Sequence, residues 1–198
     1  MTTQITTDDV ISYLNIHVNW DKFFTLINVL NDSLNSRKNR FDKGTIIEKS
    51  LETYSDGNIE HIDAIGRDHR ITEFGVDIEF KFKKDGILTK KGKTHVRKAC
   101  FKLTNSNGEN KSTEINNPAD FYLFCQQDAI AIMKYTDMEE IEDCFQNTKD
   151  GWRCKIPGSE LKFIKMPGDF KILNTDNSVN YVEEKNSLIN KFINSIGE

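Results

Sequence analysis

Val76-Asp77-Ile78-Glu79-Phe80-Lys81-Phe82 decides how the rest of this chain is read. Successive side chains of an extended strand point to opposite faces. The segment therefore sorts itself into two sets. Val76, Ile78, Phe80 and Phe82 fall on one face, and Asp77, Glu79 and Lys81 on the other, with Lys83 continuing the charged set. Helical winding would scatter both sets. A strand over residues 74–82 is expected, with an apolar face turned to a core and a charged face turned away from it.

On the N-terminal side the period is that of a helix. Trp20, Phe23, Phe24, Ile27, Leu30 and Leu34 recur at helical spacing and form one apolar face. A shorter helix over 8–17, capped by Thr7, precedes it. A third over 44–54 turns Ile46, Ile47 and Leu51 inward and carries Glu48 near its middle. Ser55-Asp56-Gly57-Asn58 ends it as a turn. A strand over 59–65, bearing Asp63, then leads towards the central strand. On the C-terminal side Asp85-Gly86 opens a hairpin. The return strand over 94–103 is expected to bring Lys98 back beside the charged face. A polar loop over 105–118, two buried strands over 120–125 and 129–135, a helix over 137–145, short strands over 151–156 and 161–164, and a closing helix over 183–196 complete the reading. The class is α+β: a mixed central sheet of roughly five or six strands with flanking helices. No linker divides the chain, so residues 1–198 are read as one domain. Its N-terminal helices occupy 1–40, its core 44–135 and a C-terminal part 136–198.

The 198 residues, 37% of them hydrophobic and 13 of them Phe, suffice for one substantial core. A net charge of -4 argues against a purely electrostatic nucleic-acid binder. The basic residues are nevertheless unevenly spread, with Lys81, Lys83, Lys84, Lys90, Lys91, Lys93, Arg97, Lys98 and Lys102 crowding the central strand and its hairpin. The four cysteines, at 100, 125, 144 and 154, include no CxxC pair, which argues against zinc. Cys100 and Cys125 read as buried small hydrophobes. His61, His69 and His95 show neither metal-site nor triad spacing; for His69 and His95 a plain surface position is expected, with a phosphate contact as the alternative. No signal peptide or membrane-length apolar run is seen, and a cytoplasmic location is expected.

The charged face of the central strand carries the chemistry. Two carboxylates and a lysine spaced about 6–7 Å apart along one strand face suit phosphodiester hydrolysis. Carboxylates bind Mg²⁺, a hard cation that takes oxygen ligands. The metal polarises a phosphoryl oxygen and acidifies a bound water. The lysine orients that water or steadies the charge growing on the phosphate. Glu48 on the preceding helix, Asp63 on the preceding strand and Lys98 on the hairpin extend the set. Together these residues resemble the PD-(D/E)xK nuclease superfamily, whose core is a helix with a Glu, a strand with an Asp and a strand with (D/E)-x-K. Within it the chain is most similar to type II restriction endonucleases, over residues 44–135.

The resemblance implies a restriction-endonuclease-like core, Mg²⁺ as cofactor and double-stranded DNA as substrate. It also implies a homodimer, assembled through the N-terminal helices, and a companion DNA methyltransferase encoded nearby. Two assignments of the motif stay open. In one, Glu79-Phe80-Lys81 is the triplet and Asp63 or Asp77 the upstream metal ligand. In the other, Asp77 opens the hairpin and Lys98, inside Val96-Arg97-Lys98, is the catalytic lysine, with Glu79 replacing the carboxylate that Val96 lacks. Catalytic candidates are thus Asp77, Glu79, Lys81 and Lys98, and metal candidates Asp77, Glu79, Asp63 and Glu48. Lys83, Lys84, Arg97 and Lys102 flank them as candidate DNA contacts. Asn105, Asn107 and Lys111 belong to a loop of the kind that enters DNA grooves in that family. A structure-specific repair or mobile-element nuclease, and a non-catalytic binding protein, are the competing readings.

Overall fold

The computed structural model describes residues 4–33, 40–64, 66–83, 88–91, 95–102, 117–148, 151–166, 168–169 and 171. Helix α1 (Thr7–His17) starts on a reciprocal cap. Thr6 Oγ1 accepts from the Asp9 N–H at 3.2 Å, and Asp9 Oδ2 accepts from the Thr6 N–H at 2.9 Å. The cap is Thr6 and not Thr7, because a capping box needs its partner three residues on, where Asp9 stands. Helices α2 (Trp20–Ser33) and α3 (Arg40–Tyr54) follow. The apolar faces read from their periodicity are buried: Phe23, Phe24, Ile27 and Leu30 on α2, Ile46, Ile47 and Leu51 on α3. At the end of α3, Asp56 and Gly57 turn the chain at φ 51° and 78°, where glycine is at ease.

Among the described residues, ten strands form two sheets. The larger contains β1 (Glu60–Ala64), β2 (Arg67–Ile71), β3 (Val76–Phe82), β6 (Phe121–Gln126), β7 (Ala129–Lys134) and β10 (Lys162–Lys165), in that order. Strand β2 runs antiparallel to both β1 and β3, and β3 is parallel to β6. The sheet is therefore mixed, as expected, and the class is α+β. The smaller sheet has the order β4 (Leu88–Lys91), β5 (His95–Lys102), β9 (Gly151–Pro157), β8 (Phe145–Thr148).

Three layers result. Helices α1–α3 cover one face of the large sheet, burying Val76, Ile78 and Phe80 of β3 with Phe121, Leu123 and Cys125 of β6. The small sheet covers the other, where Ala99, Phe101, Cys154 and Ile156 meet Tyr122, Phe124, Ala129 and Ala131. The rings of Phe101 and Phe124 lie 4.9 Å apart. On the charged face of β3, Asp77 and Glu79 are only 4% and 5% exposed.

Three expectations need correction. Strand β2 was not foreseen, since four of its five residues are charged or His and mask the period-2 pattern. The hairpin after β3 does not return beside β3; β4 and β5 pair with each other in the small sheet. A parallel β3–β6 pair needs a crossover between its strands, and this hairpin lies on it. Finally, the helix expected over 137–145 is only the single turn α4 (Tyr135–Glu139). Asp143 adopts a left-handed φ of 58° that no helix continues through, and β8 begins at Phe145. The helix expected over 183–196 falls outside the described residues. No helix among the described residues is long and apolar enough to cross a membrane.

Candidate active site at the parting of two strands

Strands β2 and β3 pair from Ile71 opposite Val76 to His69 opposite Ile78. A tight turn joins them, closed by the Gly75 N–H donating to the Ile71 carbonyl at 2.9 Å, with Gly75 at φ 65°. Beyond His69 a side chain takes over from the backbone ladder. Asp68 Oδ2 accepts from the Phe80 N–H at 2.6 Å. This fastens the Asp68 carboxylate between the two strands, next to Glu79 and Lys81. Lys81 Nζ donates to Glu79 Oε1 along the same face of β3.

The electrostatics of this point are one-sided. Burial, with the negative charges of Glu79 and then Glu48, raises the Asp68 carboxyl to about 8. The Phe80 N–H and the Lys81 ammonium pull the other way without cancelling the rise. Asp68 thus joins α3, β2 and β3 into one electrostatic unit. Among the described residues, no three His, Cys, Asp or Glu side chains converge closely enough as they stand to hold a metal ion. Glu79 leans on Lys81, and Asp68 on the backbone.

Asp77 sits two residues up the same face and has different partners. Its Oδ1 accepts from Arg70 Nε at 2.7 Å, and its Oδ2 from Arg67 at 2.8 Å and Arg70 at 3.1 Å. Its own N–H donates to Asp120 Oδ2 at 2.8 Å. Burial raises its carboxyl, but the hydrogen bonds and charges of Arg70, then Arg67, outweigh burial and hold it below the ordinary value. Both oxygens are committed to guanidinium groups. Arg67 also donates to Asn117, which ties β2 to the approach to β6. The arrangement places Asp77 in an ion cluster with Arg67 and Arg70.

Glu48 reaches the site from α3, its Oε1 lying 3.0 Å from His61 Nε2. The His61 ring meets that of His69 edge-on at 5.4 Å. His69 is fully buried, and its Nε2–H donates to the Glu48 carbonyl at 2.9 Å. A carbonyl only accepts, so this fixes the neutral tautomer; burial, above all, lowers the ring to about 4. His69 is thus not the surface residue expected. Both histidines brace the turn of α3 that bears Glu48.

The remaining candidates are dispersed. Asp63 lies in β1, its side chain outside the description. Lys98 lies in β5, opposite Thr89 of β4 and Pro157 of β9, in the small sheet. Arg97 and Lys102 share that strand. Lys83 is exposed just after β3, its N–H donating to the Cys125 carbonyl at 3.1 Å. Lys84, Asn105, Asn107 and Lys111 fall outside the described residues. The residue that sequence reasoning missed is Asp68. One signal was available: Asp68 and Arg70 alternate with His69 and Ile71, and a four-residue turn separates them from β3.

The site gathers the Asp68 and Glu79 carboxylates beside the partly exposed ammonium of Lys81. Compared with protein-family models, curated proteins and solved structures, the chain matches none.

Proposed function

We propose that this chain is a Mg²⁺-dependent endonuclease of double-stranded DNA, working through Glu48, Asp68, Glu79 and Lys81. The observation that carries the reading is Asp68 wedged between β2 and β3 beside Glu79-x-Lys81. A helix with Glu48, a strand with Asp68 and a strand with Glu79-x-Lys81 follow one another in the order of the PD-(D/E)xK core. This order also supports a restriction-endonuclease-like core, with Asp68 in the place first given to Asp63 or Asp77. It favours Lys81 over Lys98, which belongs to the other sheet.

The donor set fits Mg²⁺. It is all carboxylate oxygen, and a divalent cation would offset the burial and the neighbouring negative charges that disfavour ionised Asp68. Asp68 and Glu79 would hold the ion, and Glu48 would approach it from the helix side. When bound, Mg²⁺ polarises the phosphoryl oxygen and acidifies a water. Lys81, partly exposed, orients that water and steadies charge on the phosphate. His61 and His69 keep Glu48 in place. Recognition of a symmetric site implies a homodimer with one centre per strand.

Digestion of a phage genome with Mg²⁺ tests the reading, and discrete bands are expected. The Glu79→Ala form should still bind DNA in Ca²⁺ without cutting it. No cleavage of any DNA by the native chain, together with no DNA binding by Glu79→Ala, would overturn it. A ladder dependent on branched substrates would instead favour a structure-specific nuclease.

A further inference from the structure

The two cysteines at the free edge of the small sheet lie together. Cys144 Sγ and Cys154 Sγ are 3.2 Å apart, and both residues are buried. The backbone creates this meeting. Cys154 of β9 pairs with Phe145, the first residue of β8. Cys144 directly precedes it, and its carbonyl accepts from the Lys155 N–H at 2.9 Å. The left-handed Asp143 and the Cys144 N–H, which donates to the Ile141 carbonyl at 3.1 Å, set the approach of the chain. A disulfide needs its sulfurs about 2.05 Å apart, so roughly 1 Å of approach separates the pair from a bond. Cys100 and Cys125 have no such arrangement with another described cysteine: Cys100 is partly exposed on β5, and the Cys125 thiol donates to the Gln126 carbonyl.

We propose that Cys144 and Cys154 are a peroxide-responsive dithiol that closes to a disulfide and straps β8 to β9. The hydrogen bond from Cys154, against the effect of burial, lowers the Cys144 thiol, and the Lys155 N–H assists. Cys144 is therefore the attacking sulfur, because the thiolate is the nucleophile. Its thiolate attacks one peroxide oxygen. The O–O bond breaks, Cys144 becomes a sulfenic acid and hydroxide leaves as water. The Cys154 sulfur then attacks the Cys144 sulfur, the S–O bond breaks and a second water departs. In sum two thiols and one H₂O₂ give one disulfide and two waters; the sulfurs lose two electrons and the peroxide gains them. Access comes from β8, a four-residue edge strand whose side chains are half-buried or exposed. Such edges open locally at low cost.

The test treats reduced, folded full-length protein with H₂O₂, then alkylates it with N-ethylmaleimide in denaturant for intact mass and peptide mapping. Two of the four cysteines should escape alkylation. A cross-linked peptide joining Cys144 to Cys154 should appear and dissolve in dithiothreitol. In Cys154→Ser, the cross-link should vanish and Cys144 should accumulate as a dimedone-reactive sulfenic acid. If that variant fails to fold, the native peptide map decides alone. Oxidation of the cysteines singly, a bond to Cys100 or Cys125 instead, or four alkylated thiols after peroxide would each overturn the proposal.

Discussion

Replacing Asp68 by Asn should stabilise the fold and do so increasingly as pH rises. Asn matches the protonated acid in shape and keeps an oxygen to accept from the Phe80 N–H. Burial and the charges of Glu79 and Glu48 raise the native carboxyl from 3.8 to about 8. Between these values the folded chain holds a proton that the unfolded chain has released, so native stability falls as pH rises through the window. At about 1.4 kcal/mol per unit the ceiling is about 6 kcal/mol above pH 8. Water entry and rearrangement around the charged form lower the expected gain to about 2 kcal/mol. Near pH 4 the difference should vanish. Urea unfolding of both proteins in EDTA, at pH 4.5 and 8.5, measures it. A variant less stable than native at pH 8.5, or a difference equal at both pH values, would refute the reasoning. Mn²⁺ should restore the native protein's stability at pH 8.5 but leave Asp68→Asn unchanged, since the charge that calls for a cation is gone.

Asp77→Asn should behave in the opposite sense. It leaves Arg67 and Arg70 without their shared anion, and a loss of about 2 kcal/mol is expected, with Mn²⁺ affinity by titration unchanged. Lys81→Ala should slow cleavage by about 10²-fold or more, as for a group acting on the reacting water, while Lys98→Ala should alter DNA affinity and its salt dependence without that loss; single-turnover rates separate the two. His69, lowered to about 4 chiefly by burial, is neutral in the fold and binds a proton on unfolding below about 6.5. Stability tied to it should therefore be present at neutral pH and drain as pH falls from 6.5 towards 4, by about 3 kcal/mol. The fall in denaturant midpoint should be smaller in His69→Leu than in the native protein.

Local elements with a periodic signal could be read from the residues alone. The helical faces of α2 and α3, the two-sided character of β3 and the buried pair β6 and β7 were legible, because burying an apolar face imposes a period on the residues that form it. The triplet Glu79-Phe80-Lys81 was legible too, since alternation places its two charged members on one face whatever the neighbouring strands are. Which carboxylate stands beside that triplet depends on how the strands pair. Asp63, Asp68 and Asp77 are alike as letters. The tight turn at Gly75 brings Arg70 opposite Asp77 and consumes that carboxylate in guanidinium contacts, and the parting of β2 from β3 wedges Asp68 in the gap. Lys98 was separated in the same way, by a crossover that sends its hairpin to a second sheet. The pairing of Cys144 with Cys154 also depends on strand register, which neither spacing nor composition encodes. Strand partners are chosen by contacts distant in the chain, and the partners of Asp77 and Asp68 exist only once β2 has paired with β3.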